Sequence, residues 1–292
     1  MSPTIPRPRR SCLYTPGANV KALAKSRELK ADVLLFDLED AVAPEAKAEA
    51  RANVLAAIAE GGFGAKEVIV RVNALATPWG ENDIEAMAGA KPSGLLVPKI
   101  NSADDVIAAD EAMNEAGLGK ATALWIMIET PHAILNIKEI AAAAKRTRLT
   151  ALVMGTNDLA KDMHAKQTPA RTPFLFALSA TVTAARAFGL TAIDGVYNDI
   201  PNTEGFLEVC RHGLALGFDG KTLIHPSQVE PCNDVFAPSD DEVAEARAVI
   251  EAFGAPENAG KGVLKVNGKM TELLHLDQAK RTVAIADAIA TL

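Results

Sequence analysis

Ala123-Leu124-Trp125-Ile126-Met127-Ile128-Glu129 and Ala151-Leu152-Val153-Met154-Gly155-Thr156-Asn157-Asp158 decide how this chain folds. Each is a short apolar run that leads into an acidic residue. Short apolar runs bounded by turn residues read as fully buried strands. A carboxylate buried at a strand end is costly unless it is paired or binds a cation. Two such ends on neighbouring strands, each followed by a helical stretch, describe a hard-metal site on an α/β scaffold. Glu129 and Asp158 are its candidate ligands.

On both sides of these two runs the same unit recurs: an apolar run, a turn, an amphipathic helix. The pattern predicts strands at 11–14, 33–37, 68–72, 94–97, 123–129, 151–154, 191–193 and 220–224. Helices are predicted at 18–29, 46–59, 81–88, 103–116, 131–144, 174–187 and 204–216. Strands alternating with helices imply a parallel sheet covered on both faces. Eight of them at this length fit a closed TIM (β/α)8 barrel better than an open sheet. No G-x-G-x-x-G follows the first strand, which counts against a dinucleotide fold.

The eighth strand is complete near Ile224, so a long tail follows. It is predicted to hold a helix at 240–252, a hairpin through Asn267-Gly268 and a last helix at 272–290. The expected division is a catalytic barrel at 1–236 and a C-terminal lid and helical extension at 237–292. Such a flap suits a lid, or an arm onto a neighbouring subunit.

The bulk properties narrow the function. The 292 residues are 49% hydrophobic and 23% charged, enough to bury a full core. A net charge of −7 and a pI near 5.4 count against nucleic acid and against a polybasic membrane contact. Cys12, Cys210 and Cys232 show no zinc-ligand spacing and suggest a reducing compartment. The basic N-terminus lacks an apolar core of a secretory signal, and no apolar run approaches a membrane span. A soluble cytoplasmic protein is expected.

Barrel chemistry sits at the C-terminal strand ends. There the sequence places Asp37-Leu38-Glu39-Asp40, Arg71-Val72-Asn73, Pro98-Lys99, Glu129, Asp158, Asp194 and His225-Pro226. Acids outnumber bases in this ring, and a cation would relieve their repulsion. Mg²⁺ takes a few carboxylates, waters and a substrate oxygen. Arg71 could hold a substrate carboxylate in a bidentate fork. It could equally pair with Glu39 or Asp40 and tie two strands together. Asp158 could be only a helix cap. Arg7, Arg9 and Arg10 could be a solvated tail or, with Lys21, bind a phosphate group. His225 could be structural or contact a ligand. The other histidines show no metal-ligand spacing, and Ser227 lacks a G-x-S-x-G setting.

The ordered set of Arg10-Ser11-Cys12-Leu13-Tyr14-Thr15-Pro16-Gly17, Asp37-Leu38-Glu39-Asp40-Ala41-Val42, Arg71-Val72-Asn73, Pro98-Lys99, Ile128-Glu129-Thr130, Gly155-Thr156-Asn157-Asp158-Leu159, Ala192-Ile193-Asp194 and Gly220-Lys221-Thr222-Leu223-Ile224-His225-Pro226 resembles the citrate lyase beta-subunit-like family. That family lies within the HpcH/HpaI aldolase group, whose acyl-CoA members include malyl-CoA and citramalyl-CoA lyases. The resemblance covers roughly residues 9 to 286. It implies a TIM barrel with a C-terminal lid, usually trimeric, and Mg²⁺ held by Glu129 and Asp158. It gives Arg71 the α-keto acid carboxylate. Glu39 and Asp40 would hold metal-bound waters and orient Arg71. Arg10, Lys21 and His225 would lie near the CoA phosphates and adenine.

The implied reaction is Mg²⁺-dependent cleavage of a 3-hydroxyacyl-CoA, of citramalyl-CoA or malyl-CoA type, to an α-keto acid and acetyl-CoA or a related acyl-CoA. Its proton donor in the family is an Asp in a C-terminal G-x-M-I-D motif, reaching in from a neighbouring subunit. Here the segment reads Gly268-Lys269-Met270-Thr271-Glu272, so Glu272 stands in the Asp position, one methylene longer. A displacement of about 1 Å can cost roughly a hundredfold in rate. Alternatives are a malyl-CoA-type thioesterase, a citrate lyase beta subunit acting with an acyl carrier protein, and a non-catalytic CoA-ester-binding barrel.

Overall fold

The computed structural model describes residues 7–292. The first six residues, with the start of the expected barrel domain and of the basic N-terminal segment, lie outside the described residues. Two compact units are present, Arg9–Asn233 and one containing Asp234–Leu292.

The first unit is a closed parallel barrel. Its strands β1 (Ser11–Pro16), β2 (Val33–Asp37), β3 (Glu67–Arg71), β4 (Gly94–Val97), β5 (Ala123–Ile128), β6 (Leu149–Met154), β7 (Thr191–Asp194) and β8 (Gly220–Leu223) pair in sequence order, and β8 closes on β1. Around it lie α1 (Val20–Lys25), α2 (Lys47–Glu60), α3 (Gly80–Ala90), α4 (Ala103–Glu115), α5 (Pro131–Leu135), α6 (Ile137–Ala142), α7 (Thr156–Asp162), α8 (Leu175–Phe188) and α9 (Thr203–Leu216), and α10 (Val229–Phe236) spans the boundary between the two units. This is the TIM-like α/β barrel expected from the strand-and-helix alternation.

The barrel interior is packed rather than hollow. Cys12, Val33, Leu35, Ile69, Leu96, Trp125, Met127, Ala151, Val153 and Ile193 form its buried cluster, with Tyr14 against it. Side chains alternate across a strand, so inward positions repeat every second residue. Continuing that parity toward the C-terminal ends gives Asp37, Arg71, Glu129 and Gly155 as the next inward positions. The top of the hydrophobic core is therefore a layer of charge. Gly94 on β4 must be glycine for packing, because a Cβ there would meet the Ala123 carbonyl oxygen at 2.7 Å.

Local differences from the sequence expectation have local causes. The helix expected at 131–144 is broken into α5 and α6 at Asn136, whose Nδ2 donates to the Asn101 carbonyl 2.9 Å away. That pull across to the β4 exit competes with helix propagation. The helix expected at 18–29 begins only after Asn19, whose side chain accepts from the Ala22 N–H, and ends in a 3₁₀ turn. The short α7 was not among the predicted helices.

In the second unit α11 (Asp240–Gly254) starts with a Ser239/Glu242 capping box. The hairpin β9 (Val263–Val266) and β10 (Lys269–Glu272) turns through Asn267 and Gly268, both at positive φ (48° and 82°). This is the two-residue turn that matches strand twist. The last helix, α12 (Leu273–Ile289), packs on α11 around Val249, Val266 and Ala279. Among the described residues, no helix is long and apolar enough to cross a membrane.

Candidate metal and substrate site

A cavity of about 350 Å³ opens at the C-terminal end of the barrel, lined by Tyr14, Asp37, Asp40, Arg71, Glu129 and Asp158 among others. Arg71, at the end of β3, is its fixed cation. The neighbouring register position on β2 is Asp37. Its carboxylate accepts from Arg71 Nε and Nη2 at 2.7 Å each. Asp37 also accepts from the Glu39 and Ala41 backbone N–H groups, so it fixes its own loop as well. Arg71 lies over the Tyr14 ring, 4.7 Å from its centroid. Asp40 reaches Arg71 Nη1 only at 3.3 Å and is 63% exposed. Glu39 Oε2 comes within 2.8 Å of the same nitrogen but lacks hydrogen-bond alignment. Burial pushes the Glu39 carboxyl up to about 8, with Arg71 offsetting only part of that cost. Burial also raises the Tyr14 phenol, whose buried hydroxyl has no partner.

The second half of the site joins three strand ends. Glu129 follows β5 and is fully buried. Its Oε1 accepts the Lys99 backbone N–H at 2.7 Å, while Oε2 is buried without a partner. Asp158 lies in the first turn of α7, where the helix dipole favours a carboxylate. It is not the N-cap; that position is Gly155. The Lys99 ammonium sits at 2.5 Å from Asp158 Oδ2 and 3.4 Å from Glu129 Oε1. Burial drives the Glu129 carboxyl up to about 7, against the opposing pull of Lys99. Burial acts the same way on Asp158, but the Lys99 ammonium outweighs it and holds that carboxyl below its usual value.

These residues fit a hard divalent cation. Five acidic side chains (Asp37, Glu39, Asp40, Glu129, Asp158) pair with two cations, Arg71 and Lys99, and four of the acids (all but Glu39) line the cavity together with Arg71. A buried carboxylate oxygen without a partner is a costly feature that a cation would satisfy. Gly155 supports the same cradle. A Cβ there would collide with the Glu129 Cβ and approach Oε2 to 2.7 Å. Among the described residues no cluster of three or more His, Cys, Asp or Glu side chains could hold a metal. Two carboxylates with waters filling the remaining positions suit Mg²⁺ rather than zinc.

Not every sequence candidate reaches this cavity. Arg10 precedes β1 and forks onto Asp32 with Nε and Nη2 at 2.9 and 2.8 Å. Arg9 likewise grips Glu67 and lies over Trp125, closing the N-terminal end of the barrel. Both are separated from the cavity by the length of β1, roughly 20 Å for six residues. Their pairing is a stabilising plug. Lys21, by contrast, lies on α1 just beyond the β1 exit and is exposed. His225 caps a 3₁₀ turn at the exit of the adjacent β8, with Nδ1 2.8 Å from Ser227 Oγ. Glu272 belongs to the second unit, where its side chain caps α12 by accepting the His275 N–H.

Asp194 points outward between the barrel and its helices. It is fully buried in a triad with Arg171 and Lys221. Burial would raise its carboxyl, but the two cations hold it below the usual range. This charge is matched inside the fold and does not join the cavity ring. Arg171 also borders a neighbouring cavity of about 500 Å³. Sequence reasoning missed Asp37 as the partner of Arg71 and gave Lys99 no role. Strand parity with Val33 and Leu35 was the available signal for Asp37.

Residues 10–226 match the HpcH/HpaI aldolase/citrate lyase family. The chain belongs to that family. A (3S)-malyl-CoA thioesterase of Cereibacter sphaeroides is 45% identical over 283 residues, covering 97% of this chain and 96% of that protein. Citrate lyase subunit beta of Escherichia coli K12 is 38% identical, covering 96% of this chain and 94% of the relative. Among solved structures of the family, CitE of Mycobacterium tuberculosis in complex with magnesium, acetoacetate and coenzyme A superposes with a TM-score of 0.75 at 28% identity. It covers 95% of this chain and 97% of that one.

Proposed function

We propose that this chain acts on malyl-CoA-type 3-hydroxyacyl-CoA esters with Mg²⁺, and that it hydrolyses the thioester. The observation that carries the reading is the paired arrangement of Glu129, with its unpartnered buried oxygen, and Asp158 beside the Arg71 fork. Similarity to a relative named (3S)-malyl-CoA thioesterase supports the hydrolytic outcome. The solved relative with magnesium, acetoacetate and coenzyme A supports the ligand classes.

Glu129 and Asp158 would hold the metal. When bound, Mg²⁺ would supply Lewis-acid charge to substrate oxygens. The chain's own residues do the rest. Arg71 is clamped on one side by Asp37 and keeps Nη1 toward the cavity. A substrate carboxylate displaces Asp40, the weakest and most exposed of its acid contacts. Asp40, so released, is placed to take a proton from water attacking the thioester carbonyl. The products are the free CoA thiol and the hydroxy diacid. Glu39, near-neutral at neutral pH, packs against Arg71 without competing as a full anion. Lys21 and His225 follow adjacent strands at the same rim, a position suited to CoA phosphates.

A second reading is carbon–carbon cleavage to an α-keto acid and an acyl-CoA, favoured by the similarity to citrate lyase subunit beta. In that reading Glu272 donates the proton from residues 237–292 acting as a lid, in a trimer or with an acyl carrier protein. The use of Glu272 as the α12 N-cap is the observation that favours hydrolysis over this reading. Free, buried cysteines at positions 12, 210 and 232 suit a reducing, cytoplasmic setting.

The test is turnover of (3S)-malyl-CoA and (S)-citramalyl-CoA with Mg²⁺, following free thiol and keto acid together. Thiol without keto acid is expected. Keto acid without thiol would assign the lyase instead, and neither product from either ester would overturn the substrate class.

A further inference from the structure

Lys99 stands behind two acids that line the cavity, Glu129 and Asp158, and its ammonium has no part in the proposed reaction. It follows β4 and Pro98, with φ at +58°, a left-handed conformation that residues other than glycine rarely adopt. The turn is held in place from outside. The Lys99 carbonyl accepts Asn101 Nδ2 at 3.1 Å, Thr130 donates to Asn101 Oδ1 at 2.5 Å, and Asn136 Nδ2 donates to the Asn101 carbonyl. Its effect is double. The left-handed turn aims the backbone N–H at Glu129 Oε1, and it sends the ammonium to the space between Glu129 and Asp158. That space is where a cation shared by the two carboxylates would lie.

We propose that Lys99 is a built-in counter-cation that occupies the carboxylate pair when no metal is present and is exchanged for Mg²⁺ on loading. The inference rests on the metal reading given above. Without the ammonium, Asp158 would lose its hydrogen-bonded counter-charge beside the fully buried Glu129 carboxyl. With it, the pair is held ready, and the strained backbone persists because the Asn101 network over-determines it. The side chain is 38% exposed, so it has a path out of the pair. Glu129 keeps its backbone N–H bond during the exchange, so only the ammonium moves. Mg²⁺ binding is then a substitution of one cation for another, and its measured affinity includes the work of moving the ammonium aside.

Two measurements separate this from a purely structural lysine. In titration calorimetry with Mg²⁺ alone, Lys99→Met should bind about tenfold or more tightly than the wild type, because the competing charge is gone. In thermal unfolding, Lys99→Met should melt below the wild type without metal and gain more from saturating Mg²⁺. Lys99→Gln should behave in the same way, which guards against a folding defect of one variant. An unchanged or weaker Mg²⁺ affinity in both variants, with normal binding by the wild type, overturns the counter-cation role alone. Absence of Mg²⁺ binding by all three chains overturns the metal reading and this inference with it.

Discussion

Asp37→Asn is the perturbation whose size follows most closely from the geometry. Asp37 is 1% exposed and makes two charge-assisted bonds of 2.7 Å to Arg71, plus two from backbone N–H groups. Asparagine keeps one acceptor oxygen but turns an NH₂ donor toward the guanidinium. It also removes the partner charge of an arginine that is itself 7% exposed. Breaking one side of a buried ion pair costs about 3 to 5 kcal/mol. Glu39 and Asp40 stay near Arg71 and soften this, which favours the lower end. At roughly 2 to 4 °C per kcal/mol for a large domain, the expected fall in Tm is about 6 to 12 °C. Asp40→Asn is the internal control. Its carboxylate is 63% exposed at 3.3 Å, a surface-type pair worth less than about 1 kcal/mol. Differential scanning calorimetry on both variants decides the matter. A Tm loss in Asp40→Asn equal to or larger than that in Asp37→Asn would refute the assignment of Asp37 as the clamp.

The other predictions concern separate parts of the site. Gly155→Ala drives a methyl group into the Glu129 Cβ and against Met127 Cε, so Glu129 must shift: Tm should fall, and Mg²⁺ affinity should fall at least about tenfold; unchanged affinity by calorimetry would disprove the cradle. Glu39 is raised from 4.5 in its reference state to about 8, so the native state binds the extra proton between those values. Its contribution to stability is therefore fully present below about pH 4.5 and is lost as pH rises through about 8, at up to about 1.4 kcal/mol per pH unit. Denaturant melts at pH 5 and pH 8 should show a smaller decline in Glu39→Gln than in the wild type, and equal declines would count against a buried neutral Glu39. Asp194→Asn strands two buried cations and should destabilise by about 3 kcal/mol or more in denaturant melts, leaving Mg²⁺ affinity within about twofold; a large affinity loss would tie the triad to the site after all. Glu272→Ala should retain thiol release from (3S)-malyl-CoA, and its abolition would move the chemistry to the lid acid.

The barrel was readable because its signal is cooperative. Eight apolar runs alternate with helices, and runs such as Ala151-Leu152-Val153-Met154 have no polar face to confuse with a surface strand. Glu129 was readable because a carboxylate ending such a run has nowhere to go but the strand mouth. Side-chain direction was harder. The Asp37-Leu38-Glu39-Asp40 cluster offers three acids, and only parity with Val33 and Leu35 selects Asp37 as the inward one. The same parity sends Asp194 outward to Arg171 and Lys221, although its place at the β7 end suggested the ring. Arg10 was misplaced for a different reason. A basic residue before the first strand faces the N-terminal end of the barrel, where Asp32 waits at the start of β2. Proximity in sequence to Lys21 hid the length of strand between them. Lys99 depended on a left-handed turn fixed by contacts from Asn101 and Thr130, and no local pattern in Pro98-Lys99 encodes that conformation. The break at Asn136 arises from the same tertiary network.

If Glu129 and Asp158 hold Mg²⁺ at the mouth of this barrel, titration calorimetry of Mg²⁺ into the wild type will show one saturable site. In Glu129→Gln and in Asp158→Asn that site should be weakened about a hundredfold or lost. Wild-type affinity retained in both variants would rule the pair out as the metal ligands.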